Sequence, residues 1–163
     1  MNVHAILKLA HKRIHDVVDP LEEVEWDLPE VCGVWSTKQV VAHLTGWALY
    51  FEEFLSPHAG LVGTTAYLDD FRQLGEDGFN AKHGTPAADE SVTQIRAAYD
   101  DVWSRILRLA TRVSAERWRQ TGTLSWDSQG SLEDFVVYAY YGHQYEHAAQ
   151  IEEFHNRRRR VAR

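Results

Sequence analysis

Two histidines lie on a helix face that should be apolar, and they constrain the fold more than any other feature of the chain. Between residues 132 and 154, inward positions recur at spacings of three and four, which is typical of an amphipathic α-helix packed against a core. The residues on this face are Leu132, Val136, Ala139, His143, His147, Gln150 and Phe154. Burying an imidazole without a partner is costly, whereas one metal ion satisfies two rings at once. The pair therefore predicts a metal site inside a helical protein, with two hydrogen-bonded core histidines as the alternative.

A third histidine, His43, occupies a similar position on an earlier helix, three residues after Val40 and four before Trp47. Residues four apart project from one helix face, so His143 and His147 can reach one ion at the ~2.0–2.1 Å of a zinc–nitrogen bond. Three neutral imidazoles leave at least one coordination position open, as catalytic metal sites do. Imidazole binds zinc, nickel, copper and iron alike. We expect one divalent metal ion, zinc, nickel or iron, whose identity the sequence does not select.

Helical periodicity runs through the rest of the chain, and strand patterns are nearly absent. The segment 36–39, Ser-Thr-Lys-Gln, has the form of a capping box, in which serine and glutamine satisfy free amide groups at a helix start. Long helices are predicted at about 2–24, with a possible kink at Pro20, and at about 36–55, 90–113 and 131–158. A short helix at about 66–74 is expected because a structureless 57–88 crossing would be unusually long. The prediction is an all-α four-helix bundle with that extra helix in the crossing.

Length and composition are those of one soluble globular unit. A chain of 163 residues with 44% hydrophobic and 25% charged residues predicts a single domain, residues 1–158, followed by a basic tail, 159–163. The chain has no run of the ~18 apolar residues of a membrane helix, and its first residues lack the pattern of a secretory signal. Cys32 is the only cysteine, so no intramolecular disulfide is possible. We therefore expect no membrane association and a cytoplasmic location.

The charge is acidic and unevenly distributed. The net charge is −7, and five of the 17 basic residues lie within 157–163; without them, 12 basic against 24 acidic residues give −12. Such a body repels nucleic acid, whose binding depends on neutralising phosphates. We expect no nucleic-acid partner. The arginines are interpreted as a solvated helix end favoured by the helix dipole, with contact to an acidic partner as the alternative.

Two motifs carry a family resemblance that spans nearly the whole chain. The first is Trp35-Ser36-Thr37-Lys38, followed by His43-Leu44 and by Trp47. The second is Gly142-His143-Gln144-Tyr145-Glu146-His147-Ala148-Ala149-Gln150-Ile151, with two histidines and a following Gln-Ile. Phe79-Asn80 and the Ser114-Ala115-Glu116 turn fall at similar positions. In these features the chain resembles the DinB-like proteins.

The resemblance implies an up-up-down-down four-helix bundle, often dimeric, with one divalent metal held by three histidines. Matched by motif, those ligands would be His43, His143 and His147. The family includes mycothiol- or bacillithiol-dependent isomerases and S-transferases, and a divergent branch that hydrolyses reactive natural products. The resemblance thus implies a homodimeric, metal-dependent enzyme of small molecules, with a low-molecular-weight thiol as cosubstrate and a role in detoxification or stress response.

The same centre is compatible with other functions. A metal held by neutral ligands promotes loss of a proton from a coordinated thiol or from water, so thiol transfer and hydrolysis are both chemically accessible. A non-catalytic metal-binding or ligand-binding bundle is a third possibility. A fourth possibility is a helical interaction protein that functions mainly through its dimer interface.

Further residues are expected around the metal. The substrate wall is predicted to contain Trp47, Tyr50, Asn80, Tyr140 and the connection 114–130. Gln150 follows His147 by three residues and is predicted to hold that ring by a hydrogen bond.

The other reactive side chains are expected to be structural. His11 and His15 are also four apart, but they flank the apolar stripe of the first helix and are interpreted as boundary residues, with a metal site there as the minor alternative. Three histidines without a helical partner are expected to be exposed: His58, His83 and His155. Cys32 is interpreted as a half-buried small residue; a catalytic thiol, its pKa lowered by a nearby helix start, is the alternative.

Overall fold

The computed structural model describes residues 1–86 and 90–161, and helices make up its regular structure. These residues form two isolated β-bridges but no strand, which confirms the all-α class for this part of the chain. The helices are α1 (Val3–Val18), α2 (Thr37–Leu55), α3 (Ala66–His83), α4 (Val92–Ala110), α5 (Ala115–Arg119), α6 (Leu132–Phe135) and α7 (Gly142–Val161). A π-helical segment, Val136–Tyr141, joins α6 to α7. Residues 87 and 88 of the predicted crossing and 162–163 of the predicted tail lie outside the described residues.

The long helices share one hydrophobic core. α1 packs on α4 and α7, and α2 packs on α3, α4 and α7. This core therefore contains residues from both ends of the chain, such as Leu7 and Ile151, neither of which is exposed. Its largest fully buried side chains are Trp26, Trp103, Tyr99, Tyr140, Phe51 and Phe79. None of the helices in the described ranges is long and apolar enough to span a bilayer.

The start of α2, which carries His43, is set by the predicted capping box. The hydroxyl of Ser36 accepts the N–H of Gln39 at 3.3 Å, and the Gln39 side-chain oxygen accepts the N–H of Ser36 at 2.9 Å. This reciprocal pair satisfies two amides that have no partner inside the helix. The predicted box is confirmed, and it fixes where the helix that presents His43 begins.

The first helix is shorter than predicted. It ends at Val18 rather than near residue 24, and a separate 3₁₀ turn covers Glu23–Glu25. Pro20 is the physical reason, because proline lacks an amide donor and its ring clashes with the preceding turn. Pro20 thus ends the helix instead of kinking it.

The helix in the crossing is longer than the predicted 66–74. α3 runs from Ala66 to His83, with a break at Gly75, where φ is 66° and ψ is −177°. Only glycine adopts such a backbone readily, so the chain turns at this residue and the helix resumes beyond it. The second half brings Phe79, which is fully buried, onto α2.

A buried carboxylate anchors α3 to α2. Glu53 accepts the backbone N–H groups of Tyr67 and Leu68 at 2.8 and 3.0 Å, and its other oxygen accepts the Thr64 hydroxyl at 2.6 Å. Free amides at a helix N-terminus favour a negative partner. Sequence reasoning missed this role of Glu53, because the contact joins residues 11 to 15 positions apart through the fold.

Glycine at position 46 allows the close approach of α2 and α3. A Cβ atom placed on Gly46 would lie 2.6 Å from the Cβ of His83. Non-bonded carbon atoms do not pack so closely, so the observed close approach of the two helices requires glycine at this position.

The last long helix is not a uniform α-helix as predicted. Over Val136–Tyr141 it adopts π geometry, and the N–H of Gly142 donates to the carbonyl of Val137. A π segment inserts one residue into the helical repeat. As a result Tyr140 is buried and the predicted inward residue Ala139 is only half-buried. The Arg-rich end continues as helix to Val161, with exposed arginines.

We predict that Gly46→Ala lowers the free energy of unfolding by about 1–3 kcal/mol, because the added methyl overpacks the contact with His83. Gly142→Ala is the matched control, since its added Cβ would find its nearest neighbour at 3.6 Å. That control should be neutral or stabilising by up to about 1 kcal/mol. Urea denaturation measures both, and equal destabilisation by the two substitutions would contradict the assigned contact.

Candidate metal centre

Three histidines from two helices meet at the centre of the fold. The Nε2 atom of His143 lies 3.0 Å from the Nε2 of His43 and 3.0 Å from the Nε2 of His147. The rings are steeply inclined to one another, with centroids 4.7 to 5.1 Å apart. Ligands of a tetrahedral zinc ion lie about 3.3 Å apart when each bond is ~2.0–2.1 Å long. Two of the three nitrogen pairs are therefore close to the spacing that one ion requires, and the ligand atoms of the three rings all lie within 4.8 Å of one another.

Burial keeps all three rings neutral. His43 and His147 are 4% and 6% exposed, and His143 is half-buried. The pKa of His43 and of His143 is lowered to about 3, mainly by burial, and neighbouring histidines of the cluster contribute in the same direction. Burial also lowers the pKa of His147. A neutral imidazole has a free lone pair, which is the form that binds a metal.

Hydrogen bonds among the rings cannot satisfy all three Nε2 atoms. The Oε1 of Gln150 accepts the Nδ1–H of His147 at 2.7 Å, so the Nε2 of a neutral His147 carries a lone pair and no proton. An Nε2–H on His143 can donate well to only one of its two neighbours. One nitrogen is left unmatched, whereas a single cation accepts a lone pair from each ring. A bound metal ion therefore satisfies the three nitrogens more completely than hydrogen bonds among the rings do.

The second ring nitrogens differ among the three histidines. The contact to Gln150 matches the role predicted for that residue, since a ligand histidine usually donates its other N–H to an oxygen. His43 departs from this pattern, because its Nδ1 is buried without a hydrogen-bond partner in the described part of the chain. Of the two buried rings, His147 is therefore the one held in orientation by a hydrogen bond.

Aromatic side chains from α2 and α3 form a wall beside the rings. Trp47 lies 6.2 Å from the His143 ring and donates its indole N–H to the Oδ1 of Asn80 at 2.9 Å. Tyr50 packs edge-on against Trp47 at 5.4 Å. The predicted wall residues Trp47, Tyr50 and Asn80 therefore lie together. Sequence reasoning missed three further aromatics: Trp35, 4.9 Å from the His43 ring, and Phe71 and Phe79, both against Trp47.

The other two predicted parts of the wall differ from each other. Tyr140 is a core residue, 2% exposed and stacked on Phe51 at 4.0 Å, but its hydroxyl donates to the backbone carbonyl of Trp47 at 3.3 Å, so it lies behind the wall. The connection 114–130 packs on the opposite end of α2: its Trp126 contacts Phe54, which lies 11 residues, or about 16 Å, beyond His43 along the helix. The prediction that this connection lies beside the metal was wrong.

The three histidines predicted to be exposed are not. His155 is 3% exposed and shares a 3.1 Å hydrogen bond with the Thr37 hydroxyl at the start of α2. His58 is half-buried and accepts a hydrogen bond from Arg117 at 3.1 Å. His83 is half-buried and lies 3.0 Å from a carboxylate oxygen of Asp70. Their partners are 13 to 118 residues away, so local spacing carried no signal for them.

The environment of Cys32 matches the simpler interpretation. The residue is half-buried, and burial raises the pKa of its thiol, with the carboxylate of Glu146 acting in the same direction. A reactive cysteine needs the opposite shift, toward thiolate.

A second group of ligand-type side chains lies at the α1–α4 contact. The flanking pair His11 and His15 both approach Asp100, at 2.9 and 2.7 Å. Burial lowers the pKa of His11. Burial acts to raise the pKa of Asp100, but hydrogen bonds to the two histidines outweigh it and hold that pKa below its usual range.

His143 is the partly exposed ring of the three, whereas His43 and His147 are buried. A surface cavity of about 600 Å³ lies beside the end of α7, lined by Glu30, Phe154, Arg157, Arg158 and Val161. None of the three histidines lines it. The open side of the site is therefore the half-buried ring of His143, next to Trp47.

Comparison with known proteins gives one family match. Residues 7–141 match the mycothiol maleylpyruvate isomerase N-terminal domain. The matched segment contains His43, Trp47 and Asn80 and ends two residues before His143. Neither a curated protein nor a solved structure matches the chain. The match covers most of the sequence and confirms the resemblance noted from its motifs: the chain belongs to the mycothiol maleylpyruvate isomerase N-terminal domain family, within the DinB-like superfamily.

Proposed function

We propose that His43, His143 and His147 hold one divalent metal ion and that the protein is a metal-dependent enzyme acting on a small electrophile. The observation that carries the proposal is the convergence of three neutral Nε2 atoms at 3.0 Å contacts. The cosubstrate we propose is mycothiol or a related low-molecular-weight thiol, and the reaction isomerisation or S-transfer. The family's name supports the thiol and the isomerisation.

The chemistry follows from the charge of the donor set. When bound by neutral ligands, a divalent metal keeps its positive charge and lowers the pKa of a coordinated thiol or water. The three residues proposed as ligands are all histidines, and none is a carboxylate. The ligands therefore add no negative charge that would weaken the effect of the metal on the pKa. The metal would favour the thiolate form of the cosubstrate, which is its nucleophilic form.

The surrounding side chains would hold and shield the reacting groups. Gln150 accepts the Nδ1–H of His147 and so keeps its Nε2 aimed at the other two rings. Trp35 and Trp47 flank His43 on two sides and exclude water from it. Trp47 is itself fixed by its hydrogen bond to Asn80. This apolar, pre-formed wall suits an uncharged or planar conjugated part of a substrate.

We also propose the finer architecture that the family resemblance implies. Residues 1–158 would form one domain, an up-up-down-down four-helix bundle, and two copies would form a homodimer in the cytoplasm, with a role in detoxification or stress response. The packing of α1 on α7, which joins the two ends of the chain, supports one domain.

Metal binding gives the first test. Protein purified without a histidine tag and dialysed into metal-free buffer should retain at least one divalent ion per chain, measured by mass spectrometry of the metal. His147→Ala should retain one ion fewer per chain, because two imidazoles hold an ion far more weakly than three. His58→Ala, at the opposite end of α2, is the matched control and should retain as many ions as the unsubstituted protein. Full occupancy in His147→Ala would reject the site.

Gln150 gives a graded version of this test. Gln150→Ala should weaken metal affinity about 10- to 100-fold, because the His147 ring loses the acceptor that orients it. Asn156→Ala, an exposed position on the same helix, should leave the affinity unchanged. Competition with a chelator of known affinity measures both. Identical affinities for the two variants would mean that Gln150 does not orient a ligand.

Activity separates thiol chemistry from the alternatives. We predict that the metal-loaded protein isomerises maleylpyruvate, or conjugates a small electrophile, only when mycothiol is present, and that His43→Ala falls to background. The assay is ultraviolet spectroscopy and mass analysis of products, with and without thiol. Formation of a water-cleaved product without thiol would indicate hydrolysis instead. Metal binding with no turnover, and no binding of thiol, would indicate a binding protein.

A further inference from the structure

We infer that the chain has a second divalent-cation site, formed by His11, His15 and Asp100, at the contact between α1 and α4. Its ligands would be two imidazole nitrogens and one carboxylate oxygen, a set that suits zinc and similar transition metals. The site is separate from the three histidines proposed above and does not depend on them.

The geometry brings three donor atoms to one point. The Nε2 atoms of His11 and His15 lie 2.9 and 2.7 Å from the same oxygen, Oδ1 of Asp100, and the three donor atoms lie within 4.8 Å of one another. Tetrahedral zinc ligands are about 3.3 Å apart. Small side-chain rotations would therefore open a position for an ion between the three atoms.

The hydrogen-bond pattern around His15 is incomplete without a positive charge. Its Nδ1 lies 3.2 Å from a carboxylate oxygen of Asp19, and its Nε2 lies 2.7 Å from Asp100. A neutral imidazole has one N–H, so it can donate to one of these carboxylates and must turn a lone pair toward the other. Either a second ring proton or a metal cation between Nε2 and Asp100 removes this conflict, and the metal leaves Nδ1–H to donate to Asp19.

Asp19 supplies the outer support that metal-bound histidines usually have. A carboxylate that accepts the second N–H of a ligand histidine fixes its tautomer and raises its basicity. Asp19 is itself held by an ion pair with Arg96 of α4. The end of α1 would thus be connected to α4 twice, through the metal shared with Asp100 and through the Asp19–Arg96 ion pair.

The ring of His11 is also held in place. It stacks on Tyr99 at 5.3 Å and packs against Trp103 at 5.7 Å, so one face rests on the core. The side chains of His11 and His15 are each 24% exposed and that of Asp100 is 45% exposed, so an ion can enter from solvent. The neighbouring cation Lys12 is paired with Asp16 and does not occupy the site.

Calorimetric titration of full-length protein with zinc at pH 7.5 tests the inference. The apo protein should show two binding events. His15→Ala should remove one and leave the other, whereas His147→Ala should remove the other and leave the one that needs His15. His4→Ala, on the same helix and outside the cluster, should keep both. Because each variant removes its own event, failure of one site is distinguishable from failure of the other.

Asp19→Asn provides a variant that retains all three ligands. It should weaken the His15-dependent event about 10- to 100-fold, as loss of an outer hydrogen-bond partner does. Circular dichroism of each variant establishes that it is folded. Two undiminished events in His15→Ala would overturn the inference. So would a His15-dependent event that Asp19→Asn and Asp100→Asn leave unchanged, because that would mean adventitious surface binding only.

Discussion

Three uncharged imidazoles meet inside a helical core, and their unmet hydrogen-bonding needs govern what the site can hold. Burial keeps the pKa of His43 and His143 near 3, so the rings cannot be satisfied as cations near neutral pH. Hydrogen bonds among the rings do not satisfy all of their nitrogens either. Gln150 accepts the Nδ1–H of His147, so the Nε2 of His147 is left as an acceptor. An unsatisfied buried polar group costs about 1–3 kcal/mol. This is why we propose that a bound cation completes the core at this cluster.

The helices around the cluster are shaped to present it. The capping box at Ser36 fixes the start of α2, and the π segment before Gly142 sets the rotation of α7 just ahead of His143. Insertions of this kind often occur at functional sites. Glu53 and Gly46 allow α3 to pack closely on α2. This packing places Asn80 of α3 within hydrogen-bonding distance of Trp47. The site is thus built by contacts that also hold the helices together.

Sequence reasoning anticipated the parts of this arrangement that are local. The stripe spacing placed His43, His143 and His147 on inward faces, and the Ser36 box marked a helix start correctly. It missed what depends on contacts across the fold. The inward turn of Tyr140 results from a π segment that tertiary packing selects, and Asp100 meets His11 and His15 across more than 80 residues. The predicted helix 66–74 stopped short, because α3 resumes beyond Gly75 as far as His83, where Phe79 packs on Trp47 of α2. The partner of His155, Thr37, lies 118 positions away.

We propose that three rings from two distant stretches of chain share one metal, and X-ray absorption spectroscopy, with anomalous diffraction at the metal edge, can detect this sharing. We expect a metal peak in contact with the Nε2 atoms of His43, His143 and His147, with three imidazole nitrogens at about 2.0–2.1 Å if the metal is zinc. A metal that is coordinated without His43, or a loaded crystal with no peak between the three rings, would contradict it.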